Sequence, residues 1–139
     1  MRGNADQSFG FEFLIDGNTR IAFADIGIHV GGACGGVYLM RSDLSACRVG
    51  VLVNKTLTAA QNREIFTQTC FTIDFCSEEG IICENDSFGV WRGDGLWLSA
   101  CGTPTKPQWR IGTGGHQINL GNISLSGGEG DGVLMEGGT

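Results

Sequence analysis

At 139 residues the chain has the length of one domain, with enough apolar sequence to bury a core without disulfide staples. Hydrophobic residues make 41% and charged residues 17%, a globular balance that leaves Gly, Ser, Thr and Asn to build the surface. A net charge of −6 with only nine scattered Lys and Arg argues against nucleic acid, and no apolar run approaches membrane-spanning length.

Twenty-four glycines cut the sequence into short apolar-polar alternations, the signature of a small all-β fold. Phe9, Phe11, Phe13 and Ile15 share one face by period two. A three-residue loop at 16–18 then opposes Phe13 to Ile21 and Phe11 to Phe23, with Asn18 in the left-handed position. After Phe23 the apolar phase slips to Ile26, Ile28 and Val30, which a bulge near Ala24 and Asp25 absorbs. Glycines 31, 32, 35 and 36 mark a loop, and a short strand follows at 37–40. Cys47, Val49, Val51 and Val53 form another one-faced strand.

One helix is expected, over 58–67. Thr58 with Gln61 makes a capping box, and Ala59, Ala60, Arg63 and Glu64 suit a helix. Phe71, Ile73 and Phe75 begin the next strand, which turns at 77–80 toward 81–83. Segments 88–91 and 96–100 read as a hairpin around Arg92-Gly93-Asp94-Gly95. Pro104 and Pro107 make 103–107 a loop, and 109–111 and 118–125 are the last strands. No internal repeat stands out. The reading is an antiparallel β-sandwich or small barrel with one short helix, in a single domain over 1–126. Residues 127–139 form a flexible Gly-rich tail with an apolar handle at Val133, Leu134 and Met135. The expected core comprises Phe9, Phe11, Phe13, Phe23, Val49, Val51, Val53, Phe71, Ile73 and Phe75.

Six cysteines (34, 47, 70, 76, 83 and 101) allow fifteen disulfide connectivities. The polar start Met1-Arg2-Gly3-Asn4 has no apolar signal region, so cytosolic synthesis with reduced, partly buried thiols is expected. If Met1 is not the native start, an extracellular, disulfide-bonded protein returns, in which Cys76 and Cys83 could bridge across a turn. No metal site is expected. Zinc spacings are absent, and Asp74, Glu78, Glu79, Glu84 and Asp86 lack a calcium-loop pattern and read as a solvated turn. No catalytic residues or cofactors are assigned, because no nucleophile elbow or phosphate loop supports the two histidines. The sequons at Asn54, Asn85 and Asn122 mean nothing without a signal peptide.

Candidate contact residues are therefore Trp91, Arg92, Asp94, Trp97, Trp109, Val133, Leu134 and Met135. Arg92-Gly93-Asp94 matches an adhesion tripeptide, although a turn chosen for its backbone explains it more simply. The tryptophans fill a core or a subunit contact, or else the Trp91–Trp97 hairpin stacks on a sugar ring. The segment Gly130-Asp-Gly-Val-Leu-Met-Glu-Gly-Gly-Thr139, about a tenth of the chain, resembles the glycine-rich apolar C-termini of some tailed-bacteriophage virion proteins. That resemblance implies a non-enzymatic virion protein made in the host cytoplasm, either a capsid decoration protein or a small tail or neck component. Its partners would be copies of itself and other virion proteins, without nucleic acid or membrane. The alternative is a carbohydrate-binding adhesin or lectin that meets a host-surface glycan.

Overall fold

The computed structural model describes residues 13–16, 18–31, 36–54, 63–85, 87, 89–114 and 116–136. Fifteen short strands wind through five successive coils, three strands to a coil. The first coil holds β1 (Phe13–Ile15), β2 (Arg20–Ala22) and β3 (Ile26–Val30); the second holds β4 (Gly36–Met40), β5 (Asp43–Ser45) and β6 (Val49–Val53). The third holds β7 (Arg63–Gln68), β8 (Phe71–Asp74) and β9 (Ile81–Cys83). The fourth holds β10 (Gly89–Gly93), β11 (Leu96–Ser99) and β12 (Trp109–Ile111), and the fifth β13 (His116–Leu120), β14 (Ile123–Ser126) and β15 (Val133–Met135).

Each strand pairs in parallel with its counterpart one coil away, giving three five-stranded sheets. The molecule is a parallel β-solenoid. This overturns the antiparallel sandwich or barrel. The expected hairpin across 16–18 does not form, because Ile21 lies beside Leu44 of the next coil. Strands β10 and β11 likewise belong to different sheets, so Arg92, Gly93 and Asp94 are not a hairpin tip. The phase slip after Phe23 is a corner where the chain passes from the second sheet to the third, not a bulge. Of the expected helix at 58–67, residues 58–62 lie outside the described residues and 63–67 are strand.

A repeat specifies the solenoid. Ile21-Ala-Phe-Ala24, Leu44-Ser-Ala-Cys47, Ile73-Asp-Phe-Cys76, Leu98-Ser-Ala-Cys101 and Leu125-Ser-Gly-Gly128 recur every 23 to 29 residues. The first residue of each faces the interior, and Leu44, Ile73 and Leu98 are at most 1% exposed. The third turns the corner with positive φ: 59° at Phe23, 52° at Ala46, 54° at Phe75, 50° at Ala100 and 65° at Gly127. That turn keeps the coils stitched together. The amides of Phe23, Ala46, Phe75 and Ala100 donate to the carbonyls of Ser45, Asp74, Ser99 and Ser126 one coil on. The fourth residue points inward, so Cys47, Cys76 and Cys101 form a buried ladder of thiols.

The ladder packs against a column of glycines opening the third sheet, Gly27, Gly50 and Gly80. A Cβ on Gly50 would stand 2.5 Å from both the Gly80 oxygen and Ile73 Cγ2. Glycine is needed there for close approach. Inward-facing Val37, Leu39, Ile65, Phe71, Val51, Val53, Ile81 and Ile111 complete the core, each almost fully buried and each contributing about 1.5–3 kcal/mol. Trp91 and Trp109 fill the fourth coil, with ring centroids 5.2 Å apart and planes at 60°.

Of the expected core, Val49, Val51, Val53, Phe71 and Ile73 are buried. Phe23 and Phe75 are corrected: both occupy the corner position and are 86% and 64% exposed. Phe9 and Phe11 lie outside the described residues, while the Phe13 backbone belongs to β1. Residues 127–136, read from sequence as tail, include β15, which pairs Val133–Met135 with Trp109–Ile111. Cys76 is a free thiol, so no bridge joins it to Cys83.

Gly50→Ala is expected to destabilise by about 1–3 kcal/mol through overpacking. Gly121→Ala, whose Cβ would make only ordinary contact at 3.4 Å, should stay within about 0.5 kcal/mol. Urea unfolding midpoints of the two variants test the close approach.

Candidate functional site: a groove along the first corner

The second sheet shows its outer face one residue before each repeat. Arg20, Asp43, Thr72, Trp97 and Ser124 stand in one registered column, and Ala22, Ser45, Asp74, Ser99 and Ser126 in the next. Apart from Ala22 and one indole, these outward positions are polar, and most carry short side chains. Trp97 is 44% exposed, whereas Trp91 and Trp109 are 1% exposed. Its Nε1 donates to Ser126 Oγ at 3.2 Å. That bond draws the indole across β14 and holds it against the sheet.

Beside this column, the corner between the first and second sheets forms a groove. Its larger half, about 520 Å³, is lined by Leu96, Trp97, Asn122, Ile123 and Ser124 with Cys70 and the flanking glycines. Its other half runs over Arg20, Arg41, Asp43, Thr69 and Thr72, and Cys70 lines both. The two cavities adjoin at Cys70, and their linings together run from the first coil to the fifth. Glycine shapes the groove where chains come closest: Gly93 has a φ of 116° and a side chain there would run into the Thr67 carbonyl. Thr69 and Cys70 take positive φ, 57° and 61°, which swings Cys70 into the open.

The charges in the groove are matched in pairs. Arg41 grips both oxygens of Asp16 at 3.2 and 3.1 Å, and this hydrogen bonding raises the Arg41 pKa. Arg20 lies 3.3 Å from Asp43 and donates to Ser45 Oγ. Asp16 and Asp43 are thus each held by an arginine.

Two other polar clusters lie outside the groove. Arg48 bridges Asp25 and Glu78 at 2.6 and 2.7 Å, and Lys106 continues to Glu78 at 2.9 Å. Hydrogen bonds hold the carboxyl of Glu78, through Lys106 and Arg48, and that of Asp25, through Arg48, below their usual range. Buried Glu79 meets Arg110 at 3.6 Å. Glu78 and Glu79 of the expected solvated turn thus belong to ion pairs, Asp86 lies outside the described residues, and no group of three or more His, Cys, Asp or Glu suits a metal among the described residues. Ser87 Oγ lies 3.0 Å from His116 Nε2, but it donates to the Glu84 carbonyl at 2.6 Å and is fully buried. Burial lowers the His116 pKa. This pair closes a turn and faces no ligand.

The sequence-derived contact residues do not converge. Trp91 and Trp109 lie in the core, Trp97 in the groove, and Val133, Leu134 and Met135 on the outermost strand of the third sheet. Arg92 stands on the outer first sheet, 3.8 Å from Glu64, and Asp94 sits at the next corner. The groove residues Arg20, Asp43, Cys70, Thr72, Asn122 and Ser124 went unrecognised from sequence. Four of them precede a repeat by one residue or follow its phase, so the repeat itself was the missing signal. Comparison with protein-family models, characterised proteins and solved structures gave no match.

The hydrogen bond that Cys76 shares with Cys101, together with burial, pushes the Cys76 thiol up and keeps it protonated. In a Cys34→Ser background, Cys70 should react with an aromatic disulfide reagent in the native protein. Cys47, Cys76 and Cys101 should react only on unfolding, as timed thiol counts will show. A second test concerns His116. Its folded-state pKa lies below the ordinary 6.5, so stability is complete above that value and is lost as pH falls through the lowered one. His116→Gln should flatten the melting temperature between pH 7 and pH 5.

Proposed function

We propose that the chain is a non-enzymatic glycan-binding module whose site is the groove beside the second sheet. The observation that carries this reading is Trp97. Alone among the three tryptophans it presents a face to solvent, fixed by Ser126 and bordered by Asn122, Ser124 and Thr72. An immobilised aromatic face flanked by short hydroxyl and amide groups suits a pyranose, which offers an apolar C–H face and a rim of hydroxyls. Host-surface glycan is the ligand source this favours. The site differs from the hairpin platform expected from sequence, since Trp91 lies on the inside of a different sheet.

A second reading, a structural component of a tailed-phage virion, draws on the fifth coil. Ile123, Val133 and Met135 are 41%, 42% and 58% exposed, while their counterparts Leu96, Trp109 and Ile111 are 1% exposed. Such a face suits burial against copies of the chain or other capsid, tail or neck proteins. A virion protein made in the host cytoplasm could carry both surfaces.

Glycan-array binding followed by tryptophan quenching tests the first reading. Trp97→Ala should weaken the best array ligand about tenfold with the melting temperature nearly unchanged. Equal binding by wild type and variant would sink it. For the second reading, light scattering should give a multimer that Met135→Asp dissociates, and a monomer at every concentration would refute it.

A further inference from the structure

We propose that the groove takes an extended, uncharged, β-1,4-linked glycan lying along the solenoid axis, one ring to each coil. The inference rests on the glycan-binding reading and adds the ligand's linkage, charge and direction. Its basis is the repeat spacing. Asp43, Thr72, Trp97 and Ser124 are registered neighbours on consecutive strands, each about 4.8 Å from the next. A β-1,4-linked pyranose chain is a nearly straight ribbon that advances by almost the same distance per ring. Successive rings, each flipped relative to the last, therefore stay within a fraction of a ring of successive coils over the length of the groove. An α-1,4-linked chain curls away from a straight groove after a few rings.

Continuity and charge support the same ligand. The two halves of the groove meet at Cys70, so a chain seated on Trp97 can extend toward Thr72 on one side and Ser124 on the other. The charged end is neutralised internally, Arg20 by Asp43 and Arg41 by Asp16. A uronate or sulfated sugar would meet guanidinium groups already neutralised by carboxylates, and the net charge of −6 would repel it at longer range. Hydroxyl and amide groups at Thr72, Asn122 and Ser124 offer both donors and acceptors to neutral ring hydroxyls.

The test is calorimetric titration of the full chain, in a Cys34→Ser background, with oligomers of one to six rings. The β-1,4-linked glucose and N-acetylglucosamine series are compared with α-1,4-linked glucose and with a β-1,4-linked polyuronate series. Affinity should rise about tenfold from one ring to four in at least one neutral β-1,4 series and level off beyond five. The α-linked and uronate series should bind about tenfold more weakly at equal length. Attaching a bulky maleimide to Cys70, which lines both halves of the groove, should weaken binding of the tetramer and longer oligomers about tenfold. Affinity independent of length, or equal for α-linked or uronate chains, would overturn the axial path. If a single ring still binds and Trp97→Ala abolishes that binding, the glycan-binding reading survives the loss. If no member of any series binds, both fall.

Discussion

A spacing of about 4.8 Å between stacked strands governs this molecule, because every residue meets its own counterpart one coil on. Inside, that rule rewards like with like. Val51 stacks on Ile81, Leu44 on Ile73, and the thiols of Cys47, Cys76 and Cys101 line up beside a column of glycines. Outside, the same rule would place equal charges side by side, which is destabilising for directly opposed residues. The sequence alternates them instead. Asp25, Arg48, Glu78 and Lys106 run negative, positive, negative, positive over four coils, and on the first sheet Arg92 reaches diagonally to Glu64, two positions out of register. Where charge is absent, rings stack: Tyr38 and Phe66 lie 4.7 Å apart and within 9° of parallel.

The stacking also dictates the corners. For the chain to leave the second sheet while its amide still reaches the neighbouring coil, one residue must enter the left-handed region. Glycine meets that demand at low cost, as at Gly127. Ala46, Ala100, Phe23 and Phe75 all carry a Cβ and meet it at about 1–2 kcal/mol each, and the two phenylalanines also hold a phenyl ring in water. The pleat alone would have buried both, since they continue the period-two pattern of Ile21 and Ile73. Backbone conformation at the corner overrides hydrophobic periodicity.

Much of the strand content was legible for the same local reasons: alternation at 49–53, 71–73 and 109–111 marks strands wherever their partners are. Partner choice was not. Two apolar runs around Arg92-Gly93-Asp94-Gly95 satisfy the rules of a hairpin and of a solenoid corner equally, because Gly93 and Gly95 supply positive φ to either. The deciding signal is non-local, the recurrence of Leu-Ser-Ala-Cys at 44–47 and 98–101 with its degenerate relatives between and beyond. Helix propensity at 63–67 misled similarly. Those residues also alternate, and Ile65 and Thr67 face the interior fully buried.

The groove follows from this division of labour. Because each strand alternates, the residue before every repeat faces outward while the repeat itself fixes the interior. Arg20, Asp43, Thr72, Trp97 and Ser124 can therefore differ in chemistry while Ile21, Leu44, Ile73, Leu98 and Leu125 remain interchangeable aliphatics. The core sets where the outward groups stand, to within a strand spacing, and leaves open what they are. A rigid row of independently variable positions at constant pitch is a physical template for a ligand that is itself a repeat. That correspondence, together with Trp97, is what the proposal of a chain-like ligand draws on.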